Sequence, residues 1–194
     1  MKKLILLILM CFTLVLSADA RMSLMQLVGQ VSMGGAVCST SNDSLLFDSG
    51  YDTQEGASGD TWTAGKITIS NQSDITEYIL VLREQNHAGS INVSLYTDSG
   101  DKPNTEVIGT EVVVGHLAID DDAYVATVVT LGTPKTGLTG APTVYWLVVE
   151  EDGITINRAN DNNGESGRYC YGANGTDWTC SDSIVFGDKV YGCE

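Results

Sequence analysis

The sequence predicts an all-β fold, a two-sheet antiparallel β-sandwich of the jelly-roll kind with a short helix or strand on its N-terminal side. Three observations carry this expectation. Short runs rich in Val, Ile, Thr and Tyr, about nine or ten of them, recur with turns roughly every 8 to 15 residues, and no long helical period competes with them. The 194-residue chain has 21 glycines against 3 prolines, which suits many tight turns between short strands. Hydrophobic residues make up 43% of the chain and charged ones 18%, so a core can be buried despite a net charge of -15.

In chain order, residues 1–20 have the pattern of a secretory signal peptide. Lys2 and Lys3 form a basic start, Leu4 to Leu16 is apolar, and Ala18-Asp19-Ala20 offers a small-residue cleavage site before Arg21. The apolar run is shorter than the roughly 20 residues that span a bilayer. No later stretch is long enough either, so the mature chain is expected to be soluble outside the cytoplasm, secreted or at the cell surface, with no membrane span. Cleavage would leave 8 basic and 24 acidic residues, which places the acidic excess in the folded part. Residues 21–194 have the length of one domain, with residues 21–60 as an N-terminal segment and loop packed on a sandwich formed by 61–194.

Met22 to Met33 fits either a short helix or a first strand, since Leu24, Leu27, Val28 and Val31 keep helical spacing while Gly29 interrupts it. Residues 39–60 read as a polar loop with one brief strand at Leu45-Leu46-Phe47. Beyond Thr61 strands are expected at Lys66 to Ser70, Ile75 to Leu82, Ser90 to Tyr96, Val107 to Val114, Ala123 to Leu131 and Thr143 to Val149. Shorter ones follow at Ile154 to Asn157, Arg168 to Tyr171, Ile184 to Phe186 and Lys189 to Tyr191. Ser90 to Tyr96 alternates, which puts Ile91, Val93 and Leu95 on a core face and Asn92, Ser94 and Tyr96 on a wet one, or one covered only at Tyr96. Thr143 to Val149 is apolar on both faces, as in a central strand covered on each side. Trp62 and Trp146 read as core residues.

Four cysteines remain after cleavage, Cys38, Cys170, Cys180 and Cys193, and an even number in an exported chain argues for disulfides with three possible pairings. Cys170 and Cys180 flank the turn-rich stretch Gly172 to Asp177, so a local hairpin bridge is plausible, leaving Cys38 with Cys193. A zinc site is disfavoured, because there is no C-x-x-C pair and His87 and His116 stand far from the cysteines in sequence.

The stretch Gly89-Ser90-Ile91-Asn92-Val93-Ser94-Leu95-Tyr96-Thr97-Asp98-Ser99-Gly100-Asp101-Lys102-Pro103 resembles the strand, acidic-glycine turn and proline segment of bacterial choice-of-anchor extracellular domains. Val144-Tyr145-Trp146-Leu147-Val148 and the Tyr169-Cys170-Tyr171-Gly172 turn are similar to that group as well. The resemblance covers residues 60–191 and implies a secreted jelly-roll module, often on cell surfaces, with no settled ligand. The family's C-terminal sorting signal has no counterpart before Glu194, so anchoring through this C-terminus is not expected.

Three kinds of site are weighed against plainer roles. Tyr169, Tyr171 and Trp178 could stack on sugar rings while Asn174, Asp177 and Asp182 bond hydroxyls, although half-buried aromatics covering a sheet edge and a bridge are more ordinary. Asp120, Asp121 and Asp122 could place carboxylates on a structural calcium, as could Asp98 with Asp101, or Asp161 with Asn163 and Glu165, although acidic hairpin tips are usually just solvated. Glu77, Glu84, Glu111, Glu150 and Glu151 fall in or at the ends of strands, where a glycosidase pair could form, yet the chain is only 7% aromatic and has no nucleophile motif. No cofactor beyond that calcium is expected. Sequons at Asn42, Asn71, Asn92 and Asn174 matter only in a glycosylating host.

The acidic balance argues against nucleic acid and anionic membrane surfaces as partners. The expected function is a secreted, non-catalytic binding module for carbohydrate or another surface ligand. The alternatives are a structural subunit of an extracellular filament, layer or adhesin, self-assembling through Met22 to Met33, and a small glycoside hydrolase.

Overall fold

Period-two alternation forces each strand to choose a buried face, and two such sheets facing each other satisfy the choice. The computed structural model describes residues 38–49, 55–57, 61–138, 143–161, 168–182 and 185–194. The signal-peptide pattern in residues 1–20, the Met22 to Met33 segment, and Asn163 and Glu165 lie outside the described residues. The strands are β1 (Ser44–Asp48), β2 (Glu55–Ala57), β3 (Trp62–Ile69), β4 (Ser73–Glu84), β5 (Ser90–Asp98), β6 (Pro103–Glu106) and β7 (Val112–Gly115), followed by β8 (Val125–Leu138), β9 (Thr143–Asp152), β10 (Ile156–Asp161), β11 (Tyr169–Gly172), β12 (Thr179–Ser181), β13 (Val185–Phe186) and β14 (Lys189–Cys193).

The first sheet runs β1-β14-β4-β10-β13, with β2 paired to β10 and β8 paired to β4. The second runs β12-β11-β3-β9-β5-β6, with β7 also paired to β5. All strand pairs are antiparallel, and the chain passes from sheet to sheet at β3-β4-β5 and again at β7-β8-β9-β10-β11, as expected of an all-β sandwich of the jelly-roll kind. No helix among the described residues is long and apolar enough to cross a membrane.

Ile67 and Ile69 of β3, Leu80 and Leu82 of β4, Ile91, Val93 and Leu95 of β5, and Leu147 and Val149 of β9 fill the space between the sheets. Each such buried side chain contributes on the order of 1.5–3 kcal/mol. A second cluster of Ala64, Trp146, Val148, Cys170 and Trp178 packs on the outer face of the second sheet. It explains why β9 is apolar on both faces, and it puts Trp146 in this outer cluster rather than between the sheets. Cys38 is bonded to Cys193 and Cys170 to Cys180, the two bridges read from the spacing. Such bonds fit an extracellular or otherwise oxidising environment.

Two expectations about elements change. Val107 to Val114 is not one strand: β6 ends at Glu106 and β7 begins at Val112, because Gly109 adopts φ 83° and turns the chain. Within that turn Thr110 is buried and its Oγ1 accepts the Leu95 N–H at 3.0 Å, doing the work of a strand partner. The 39–60 stretch carries two strands, β1 and β2, each held by pairing to a distant partner, β14 and β10, that no local pattern announces.

Candidate functional site

Strand register assembles a mixed aromatic and polar surface on the outer face of the second sheet. Trp62, Glu150, Asn92 and Val113 stand side by side in one row across β3, β9, β5 and β7. Ala64, Val148 and Ser94 form the next row, and Lys66, Trp146, Tyr96 and Glu106 the one after. Four strands span about 14 Å, and rows on one face lie about 7 Å apart. Asn92 Nδ2 donates to Glu150 Oε2 at 3.1 Å, and Trp146 Nε1 donates to Asp98 Oδ1 at 2.8 Å. This face was expected to be wet, or covered only at Tyr96. Instead Ser94 is buried and Asn92 and Tyr96 are half-buried, because the 173–178 loop folds back over part of the sheet.

That loop builds itself. Asn174 Oδ1 accepts the N–H groups of Thr176 and Asp177 and the Thr176 hydroxyl, while Asn174 Nδ2 donates to Asp177 Oδ2. Gly175 sits against the Trp62 ring, where a Cβ would lie 3.1 Å from it, and Trp178 meets Trp62 edge-on at 6.3 Å. Lys102 Nζ donates to the Trp178 carbonyl at 3.1 Å and ties the loop down.

The aromatic residues near Cys170 therefore divide. Trp178 is 7% exposed and belongs to the outer cluster with Cys170. Tyr169 and Tyr171 alternate with Cys170 and take the opposite face, stacked on one another at 5.6 Å, with Tyr169 edge-on to Phe186. Asn174 and Asp177 spend their polar atoms on the loop, and Asp182 pairs with Arg168 at 2.7 Å. The residues brought together with Trp178 are Trp62, Trp146 and Tyr96, which come from three other strands.

The acidic candidates disperse in the same way. Asp120 Oδ1 accepts the N–H groups of Asp122 and Ala123, and Asp121 lies 3.3 Å from His87. Asp101 pairs with Lys66 and Arg168. Among the described residues no three His, Cys, Asp or Glu side chains come together as a set that could hold a metal ion. Glu77 pairs in register with Thr130 on the first sheet's outer face, Glu84 is buried, Glu151 accepts the Ile156 N–H, and Glu150 belongs to the second sheet's outer face.

Glu106 was not among the glutamates singled out by sequence, since the expected strand began only at Val107, whereas β6 ends at Glu106. It neighbours Tyr96 on the outer face and also lines a side cleft of about 460 Å³ formed by Ile108, Gly109 and Glu111 of the β6–β7 turn and Leu131, Gly132 and Thr133 of β8. Burial, then the charges of Glu111 and Glu150, hold its carboxyl above the usual range, and burial with the same three glutamates raises the Tyr96 hydroxyl. A raised carboxyl pKa means that the folded chain binds the extra proton, so this contribution to stability is full at low pH and fades as pH rises through the folded value. Glu111→Gln should therefore move the Glu106 midpoint down toward its ordinary value and flatten that fade. A carboxyl-carbon NMR titration reads the midpoint, and an unmoved one would show that Glu111 has no hold on Glu106.

No protein-family model matches the chain, and neither a curated protein nor a solved structure matches it.

Proposed function

We propose that this protein is a secreted, non-catalytic binding module that takes a carbohydrate on the outer face of its second sheet. The observation that carries the reading is the row Trp62, Glu150, Asn92, which aligns a half-buried indole with a carboxylate and an amide on one face of the sheet. An indole offers an apolar platform for the face of a sugar ring, and carboxylate and amide groups accept and donate to its hydroxyls. Tyr96 and Glu106 extend the same chemistry two rows away. The resemblance to choice-of-anchor domains and the two disulfides agree with an exported module. This reading keeps the carbohydrate class first assigned to Tyr169, Tyr171, Asn174, Asp177 and Trp178 and moves it across the sheet, with the 173–178 loop as its rim.

Binding of the purified protein to a panel of insoluble and soluble polysaccharides tests it. Trp62→Ala should lower affinity for a bound glycan at least about tenfold, the effect of removing one aromatic anchor of 1.4 kcal/mol or more. Tyr171→Ala, on the opposite face, should leave it unchanged. No retention on any glycan, or equal loss from the two variants, would remove this face from consideration.

A further inference from the structure

We propose that the glycan taken by this face carries free amino groups, and that a protonated amine of the sugar lodges between Glu106 and Glu111 in the side cleft. The inference rests on the carbohydrate reading above and adds the charge of the ligand. Glu106 stands beside Tyr96 at the end of its row, Glu111 lines the same cleft from the β6–β7 turn, and Glu150 holds the amide of Asn92 in the row of Trp62. All three glutamates act on the Tyr96 hydroxyl, which gathers them around one part of the face.

No ion pair among the described residues involves any of the three. Lys66 is held by Asp101, Arg168 by Asp101 and Asp182, Arg158 by Asp188 and Lys189 by Asp48. Like charges gathered without a cation repel one another. Burial first, and then repulsion from Glu111 and Glu150, lifts the Glu106 carboxyl, and a cation entering the cleft relieves that repulsion.

The chemistry of the cleft favours an ammonium over a metal ion. Among the described residues no three His, Cys, Asp or Glu side chains converge as a metal would need, whereas an ammonium donates three separate bonds to acceptors spaced around it. At about 460 Å³ the cleft falls in the size range of small-molecule sites, and Ile108 and Leu131 give it apolar walls for the carbon skeleton behind the amine. Continuity with the aromatic face favours a sugar over a basic peptide. Glu106 shares its row with Tyr96, whose ring, like that of Trp62, offers a platform for the apolar face of a saccharide.

Calorimetric binding of a short oligomer of glucosamine, set against its fully N-acetylated counterpart, tests the proposal. Wild type should hold the free-amine oligomer at least about tenfold more tightly, the scale of one charge-assisted contact, and added salt should narrow the gap. The double variant Glu106→Gln, Glu111→Gln should bring the ratio of the two affinities to about one. Asp121→Asn with Asp122→Asn removes the same two charges from another loop and should keep the ratio. The free-amine oligomer should also lower the Glu106 midpoint in a carboxyl-carbon NMR titration, since a neighbouring cation favours the charged carboxylate. Equal or tighter binding of the acetylated oligomer overturns the proposal and leaves the carbohydrate reading standing. So does a ratio that survives the two glutamines or falls as far with the two asparagines. Trilysine bound as tightly as the free-amine oligomer overturns it in favour of a basic peptide. Binding of neither sugar overturns it too, and the wider glycan panel then decides the carbohydrate reading separately.

Discussion

Arg158→Ala is expected to destabilise the protein by about 3–5 kcal/mol, the cost of removing one partner of a buried ion pair. Arg158 and Asp188 are 2% exposed each and lie 2.6 Å apart between the sheets. The guanidinium also donates to Thr63 Oγ1 at 3.0 Å and rests 3.9 Å from the centre of the Phe186 ring. Gly65 makes room for the pair, since a Cβ there would run into Asp188 Oδ2. Burial pushes the Asp188 carboxyl above its usual range, and Arg158 is what pulls it down. Without Arg158 the carboxyl would take a proton from solvent, and a folded pKa raised further means stability lost as pH rises through it. The deficit relative to wild type should thus be larger at neutral pH than in acid. Chemical denaturation at both pH values measures this. The paired variant Arg158→Met, Asp188→Leu should recover most of the loss, because no charge is then left buried alone; failure to recover would show that shape, not charge, dominates the site.

Replacing Cys38 and Cys193 by serine is expected to cost about 5 kcal/mol by loop-closure entropy for a closed loop of 155 residues, against about 3 kcal/mol for the 10-residue loop of Cys170–Cys180. The larger figure is a substantial part of the 5–15 kcal/mol that holds a typical domain together. Cys38 precedes β1 and Cys193 ends β14, adjacent strands of the first sheet, so the bridge fastens an edge strand as well as closing the chain. Melting of the two double-serine variants should show the greater drop for Cys38 and Cys193. Equal drops would mean that the unfolded chain is already compact enough to make loop length irrelevant.

Much of the fold was legible because strands announce themselves locally. Alternation in Ser90 to Tyr96 put Ile91, Val93 and Leu95 inward, and all three are buried. The turn between Cys170 and Cys180 made the short bridge readable, and counting then suggested the long one. Where a long-range partner decides the conformation, the reading stopped. Thr110 ends the expected 107–114 strand by taking an N–H from β5, and Arg158 finds its charge partner 30 residues on. Neither partner is visible from a window of neighbouring residues.

The residues of the proposed surface were only partly legible in the sequence. Aromatic and hydroxyl-bonding residues near the C-terminus suggested a sugar surface, but adjacency in sequence is not adjacency on a sheet. Side chains one residue apart point to opposite faces, so Tyr169 and Tyr171 part from Cys170 and Trp178. Trp62, Asn92, Tyr96 and Glu150 meet only when β3, β9 and β5 pair in one register.

By itself, then, the sequence determined the all-β class, most strand positions and a disulfide framework, because these follow from alternation, turn chemistry and cysteine spacing within short stretches. Tertiary structure alone decided which strands are neighbours and which face of the second sheet the 173–178 loop covers. Those outcomes depend on register and crossover between residues far apart in the chain, where a shift of one position exchanges the two faces of a strand.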